Sequence, residues 1–198
     1  MSLPSDIIYL KNFLRDDLRK LIVSEIEIFM TCSNHFGDVS GYVDNSFNWY
    51  SPPSCEALML NLLPQIERST NLKLYPTYSY ARVYKKGSEL KKHLDRKSSE
   101  IAVTCCLERT EPYEFHIDDG TTVHSFDMKV GDVLIFPGRK YYHWRNKYYG
   151  SKHIHCFLQY VNADGDLKEY KYDTRPYLGF NYEFTSEQVK NEMQEYYK

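Results

Sequence analysis

The chain has 198 residues, enough for one domain with a real core, and its 25 basic and 27 acidic side chains leave a formal net charge of -2, which gives no global argument for a nucleic-acid or membrane partner. Aromatic residues make up 16%, with 19 tyrosines among them, and tyrosine suits half-buried pleated surfaces, so the composition leans toward β structure. Five cysteines (Cys32, Cys55, Cys105, Cys106, Cys156) are odd in number and lack CxxC spacing, which argues against a disulfide framework or structural zinc and for reduced thiols in a cytosol.

Met1 to Leu10 has no basic region followed by an apolar run, so no secretion signal is read there. Nor does any apolar stretch approach the length of a membrane span. Asp16 to Phe29 reads as an amphipathic helix, with Leu18, Leu21, Ile22, Ile26 and Phe29 at three- and four-residue spacing. Asn34 to Asn48 is rich in Gly, Asn, Asp and Ser and reads as an insertion loop. Ser51-Pro52-Pro53 reads as the start of a second helix carrying Leu58, Leu62 and Leu63, with Pro64 expected to kink or restart it.

From Tyr78 the period changes to two, through Tyr80, Arg82 and Tyr84, until Gly87 breaks it. Ile101 to Leu107 reads as a buried strand. Tyr113 to Ile117 and Thr121 to Phe126 flank Asp118-Asp119-Gly120, a hairpin signal. Asp132 to Phe136 and His153 to Val161 read as further strands. Tyr160 to Tyr172 reads as one more hairpin, turning at Asp164-Gly165, and Thr185 with Gln188 caps a terminal helix over Glu187 to Tyr197. Helices, then short strands, then a short helix make an α+β chain with a sandwich or barrel core. Residues 1–70 are expected to supply helices and a loop, 75–175 the β core and 176–198 a tail, all in one domain.

His93 and Asp95 are one residue apart, so on a strand both face one side. Imidazole plus carboxylate, joined by one downstream histidine, is the ligand set of a ferrous ion that keeps three positions open. A second HxD, His116-Ile117-Asp118, runs directly into the hairpin turn, where Asp118 is better placed to shape the turn. Only 24 residues separate Asp118 from His143, against 47 between Asp95 and His143, room for about four strands. His124, His143, His153 and His155 are the candidate third ligands. His143 follows the strand and turns of Gly131 to Gly138; His153 and His155 share a face opposite Lys152, and they point outward if Lys152 points inward.

Taken together, Arg82-Val83-Tyr84-Lys85-Lys86-Gly87, His93-Leu94-Asp95, Gly131 to Phe136, and His143 with Lys152 nine residues on resemble the catalytic domain of the 2-oxoglutarate- and Fe(II)-dependent dioxygenases, above all the prolyl 4-hydroxylase-like branch. The resemblance covers about half the chain. It implies a double-stranded β-helix (jelly-roll) core with the metal at one mouth and the N-terminal helices packed on one sheet. It implies that His93, Asp95 and His143 hold iron, that Lys152 pairs with the distal carboxylate of 2-oxoglutarate, and that Tyr84 hydrogen-bonds this co-substrate. The implied reaction hydroxylates an unactivated C–H bond, foremost in a prolyl residue of a peptide or protein, with O2 consumed, succinate and CO2 released, and ascorbate as helper reductant. A nucleobase or small metabolite is the alternative substrate, and a non-catalytic barrel the alternative role. The basic cluster Lys85, Lys86, Lys91, Lys92, Arg96 and Lys97 would steer an acidic peptide or nucleic acid, although lysines guarding a strand edge are the simpler reading.

Overall fold

The computed structural model describes residues 3–32 and 43–179. Strand β1 (Ile8–Leu10) precedes helix α1 (Asp16–Cys32), and β2 (Ser46–Tyr50) precedes helix α2 (Pro53–Thr70). Eight strands follow: β3 (Leu74–Tyr84), β4 (Leu90–His93), β5 (Ile101–Arg109), β6 (Phe115–Asp118), β7 (Val123–Phe126), β8 (Val133–Phe136), β9 (Tyr142–Arg145) and β10 (His153–Asn162). A 3-10 segment, Lys168–Thr174, comes last.

Asp16 and Asp17 open α1, where carboxylates favour the positive end of the helix dipole. The buried stripe is Ile22, Val23 and Ile26. Leu21, expected in that stripe, is 65% exposed, so the helix is turned slightly from the expected face. Helix α2 has proline in its first turn and ends on Asn71 in the left-handed region, at φ 55. Pro64 does not break it: the helix runs continuously from Pro53 to Thr70. The carbonyl that Pro64 leaves without a donor belongs to Leu60, which lies on the exposed side of the helix.

The strands form two antiparallel sheets, one in the order β1-β8-β5-β10-β3-β2 and the other β4-β9-β6-β7. They face each other in a jelly-roll sandwich. Alternation along each strand separates two cores. Val103, Cys105, Ile154, Cys156 and Leu158 face α1 and α2. Ala102, Cys106, Phe115, Ile117 and Phe136 fill the space between the sheets. Asp132 ties β1 to the entrance of β8 by accepting from the backbone N–H of Asn12 and of Lys129, both at 2.8 Å.

Two further expectations change. The presumed loop Asn34 to Asn48 ends in a strand, because β2 pairs with β3 from Ser46↔Tyr84 to Tyr50↔Tyr80. Residues 33–42 lie outside the described part. The hairpin over Tyr160 to Tyr172 does not form: Asn162 closes a tight turn with Gly165, and the chain enters the 3-10 segment. Arg175 explains this path. Its buried guanidinium donates to Glu56 Oε1 at 2.7 Å, Ser51 Oγ at 2.8 Å and Thr77 O at 2.9 Å, which draws the segment onto α2 and β3 instead of back along β10. The expected helix at Glu187 to Tyr197 lies outside the described residues.

Candidate active site

Strands β4 and β9 pair with His93 directly opposite His143. The two imidazoles are thus a cross-strand pair with ring centroids 4.3 Å apart. Asp95 follows β4 by two residues, and its backbone N–H donates to Gly138 O at 3.0 Å. That bond holds the carboxylate under the β8–β9 turn. Gly138 permits the approach: a Cβ there would run into the Asp95 carboxylate and lie 3.0 Å from Ser99 O.

Asp95 Oδ1 is 3.6 Å from His93 Nε2 and 3.5 Å from His143 Nε2. Ligands bound at right angles to one ion at ordinary bond lengths sit about 3 Å apart, so the three atoms need only a small inward shift to share one ion. His93 Nδ1 lies 2.7 Å from Lys91 O, and His143 Nδ1 lies 3.0 Å from Tyr141 O. Each histidine can therefore donate Nδ1–H to the carbonyl two residues back, which leaves its Nε2 facing Asp95. This outer hydrogen bond fixes the tautomer that a metal requires. Burial pushes the Asp95 carboxyl pKa up, but His143 and His93 beside it hold it down at about 2, so the carboxylate is ionised. The residues present fit a two-histidine, one-carboxylate metal site.

The three residues sit at the edge of a cavity of about 280 Å³. Arg82, Tyr80 and Gln159 line it further in, and Tyr50, Tyr78 and Arg96 line it on the β2–β3 side. Tyr50 and Tyr78 stack with centroids 5.4 Å apart, and Arg96 lies 4.1 Å over the Tyr78 ring.

The other histidines have different work. His116 packs on Trp144 and meets Ser125 Oγ at 2.8 Å, while Asp118 accepts from Lys92 and from Gly120 N–H. The second HxD thus shapes the hairpin. His124 pairs with Asp119 at 2.7 Å on the same hairpin.

Lys152 is not in the cavity. Its Nζ lies 2.7 Å from Glu27 of α1 and 2.6 Å from Glu108 of β5. The parity of β10 is the reverse of that expected. His153 and His155 are fully buried and share the inward side with Phe157 and Gln159, which line the cavity; Ile154 and Cys156 face the helices. Lys152 goes with the helix-facing set, where two carboxylates receive it. Tyr84 is inside and fully buried, and its hydroxyl has no hydrogen-bond partner. Sequence reasoning passed over Arg145, whose side chain is completely buried between the sheets. Its position two residues beyond His143 on one strand was the available signal.

No protein-family model matches the chain, and no curated protein matches it in sequence. Solved structures do match in fold. A prolyl-4-hydroxylase from Pseudomonas putida superposes with a TM-score of 0.64 at 13% identity, over 79% of this chain and 92% of that one. A prolyl hydroxylase from Trichoplax adhaerens, solved with a hypoxia inducible factor peptide, gives 0.64 at 13% identity over 80% and 84%. HygX from Streptomyces hygroscopicus, with nickel and 2-oxoglutarate bound, gives 0.63 at 12% identity over 80% and 84%. The chain therefore has the fold of the prolyl hydroxylases and 2-oxoglutarate-Fe(II) oxygenases.

Proposed function

We propose that the protein is an Fe(II)- and 2-oxoglutarate-dependent oxygenase that hydroxylates an unactivated C–H bond, with a prolyl residue of a peptide or protein as the favoured target. The observation that carries this reading is the convergence of His93 Nε2, Asp95 Oδ1 and His143 Nε2 at the edge of a cavity. His93, Asp95 and His143 would hold the iron, and three protein ligands would leave it room for a co-substrate and O2. When bound, the iron and 2-oxoglutarate supply the oxidising chemistry, with succinate and CO2 as products. The chain supplies position: the β4–β9 register holds the two imidazoles, Gly138 seats the carboxylate, and Phe115 and Phe136 dry one wall.

The stacked Tyr50 and Tyr78 at the cavity support a proline-rich segment, because aromatic-lined grooves take preformed polyproline chains at low entropic cost. The peptide bound to the Trichoplax relative supports the same class. Ascorbate would keep the iron ferrous. All four described buried cysteines and Cys32 are free thiols, and no helix among the described residues is long and apolar enough to cross a membrane, which fits a reducing cytoplasm.

Incubation of the purified protein with Fe(II), ascorbate and 2-oxoglutarate, with succinate measured with and without proline-rich peptides, tests the proposal. Peptide-stimulated succinate release is the expected result. Succinate release that no peptide stimulates would move the substrate to a small molecule; HygX has been solved with hygromycin B bound. Failure of the metal-loaded protein to bind 2-oxoglutarate would remove the oxygenase reading.

A further inference from the structure

Behind the cavity lies a buried group of polar side chains that the metal site does not use. Arg145 is completely buried, yet no carboxylate among the described residues pairs with it. Its Nη1 donates to Tyr113 O, its Nη2 lies 3.2 Å from His155 Nε2, and its Nε has no partner. Around it, the Tyr84 hydroxyl and both ring nitrogens of His153 are also buried without partners. A lone guanidinium between two sheets is costly, and three orphaned polar atoms beside it raise that cost. Every one of these groups can donate a hydrogen bond: the guanidinium, a phenol and a neutral imidazole. A cradle of donors around a fixed cation is built for an anion.

The place of the cluster says which anion. Arg145 lies two residues past His143 on β9, so both side chains face inward about 6.6 Å apart along the strand. That is the reach of an extended five-carbon diacid. Phe115 stands between them, with its ring 5.6 Å from that of His143 and 5.1 Å from the guanidinium of Arg145. Thr104 lines the cavity from β5 and bonds His155 Nδ1 at 2.8 Å. The cluster is thus one side chain removed from the metal cavity.

Building on the oxygenase reading, we propose that Arg145, with Tyr84 and His153, holds the distal carboxylate of 2-oxoglutarate, and that Lys152 has no part in it. The anchoring cation comes from the strand of the second histidine ligand instead of from the head of β10. Cys106, His153 and His155 also converge within 4.8 Å, a spacing that a metal ion would accept. A cation there would lie against Arg145, and burial pushes the Cys106 thiol up to about 12, so it stays protonated and a poor ligand.

The test compares two 2-oxoacids on the Fe(II)-loaded protein under anaerobic conditions, by calorimetry. 2-Oxoglutarate carries the distal carboxylate; 2-oxobutyrate has the same chelating end without it. Wild type should prefer 2-oxoglutarate. Arg145→Gln should weaken 2-oxoglutarate roughly 30-fold or more, with 2-oxobutyrate unchanged. Lys152→Ala should alter neither. Tyr84→Phe, which removes one oxygen and keeps the ring, should raise the melting temperature of the ligand-free protein and still weaken 2-oxoglutarate selectively, a pairing that a structural role would not produce. The inference is overturned if wild type prefers 2-oxoglutarate but Lys152→Ala or Arg82→Gln abolishes the preference while Arg145→Gln and Tyr84→Phe retain it. A second equivalent of metal that Cys106→Ser removes would overturn it too. Wild type that binds neither acid would sink both this inference and the oxygenase reading.

Discussion

Asp95 is the residue on which the proposed metal site turns, and its position rests on one missing methyl group. The backbone of Gly138 accepts the Asp95 N–H at 3.0 Å, and the space of a Cβ at Gly138 is already taken by the Asp95 carboxylate. Gly138→Ala should therefore displace the carboxylate while β4, β8 and β9 stay paired. We expect metal affinity to fall roughly 10- to 100-fold, the usual effect of disturbing the groups that orient a ligand. Calorimetric titration with Fe(II) measures it; affinity equal to wild type would show that the turn yields and that glycine is not required. The same His-x-Asp triplet at His116 and Asp118 serves as a hairpin brace, because Asp118 spends its oxygens on Lys92 and Gly120.

At the level of the element, β10 decides what each side of the large sheet can do. Its inward residues are His153, His155, Phe157 and Gln159, and its outward residues meet the helices. Both histidines are held well below the ordinary pKa, first by burial and then by the Arg145 charge. The unfolded chain takes up protons near pH 6.5, but the folded ligand-free protein does not, so the unfolded state binds more protons as pH falls. Stability should be full above pH 6.5 and decline below it, by up to about 1.4 kcal/mol per pH unit for each histidine. Urea midpoints of the metal-free protein between about pH 5 and 7.5 should show the slope, and His153→Phe should remove about half of it. A flat profile in wild type would mean that water reaches these rings.

A latch far in sequence from His93 and Asp95 closes the molecule. Arg175 and Glu56 form a buried ion pair at 2.7 Å, and Asp173 beside it accepts from Tyr50 Oη at 2.6 Å and Arg96 at 2.7 Å. Tyr50 and Arg96 line the cavity, so the latch also sets its mouth. Arg175→Ala would leave the Glu56 carboxylate buried without its cation, and we expect a loss of about 3–5 kcal/mol, read from urea unfolding. The double variant Arg175→Met, Glu56→Leu should recover most of it; a single variant within about 1 kcal/mol of wild type would show the pair to be dispensable.

The alternating strands, both helices and the three residues His93, Asp95 and His143, which the fold brings together, could be read from the sequence alone. Each was legible because its signal is local: period, turn residues and the spacing of His93 and Asp95. The pairing of β2, the continuity of α2 through Pro64, the inward turn of His153 and His155 and the outward turn of Lys152 were decided only in three dimensions. A strand puts every second side chain on one side, and nothing within the strand says which side faces the core. The helices settled that question: Ile154, Cys156 and Leu158 pack on their side of the sheet, where Lys152 meets Glu27 of α1 and Glu108 of β5. Arg145 could then be buried on the other side, beside the histidines expected to point outward if Lys152 pointed inward.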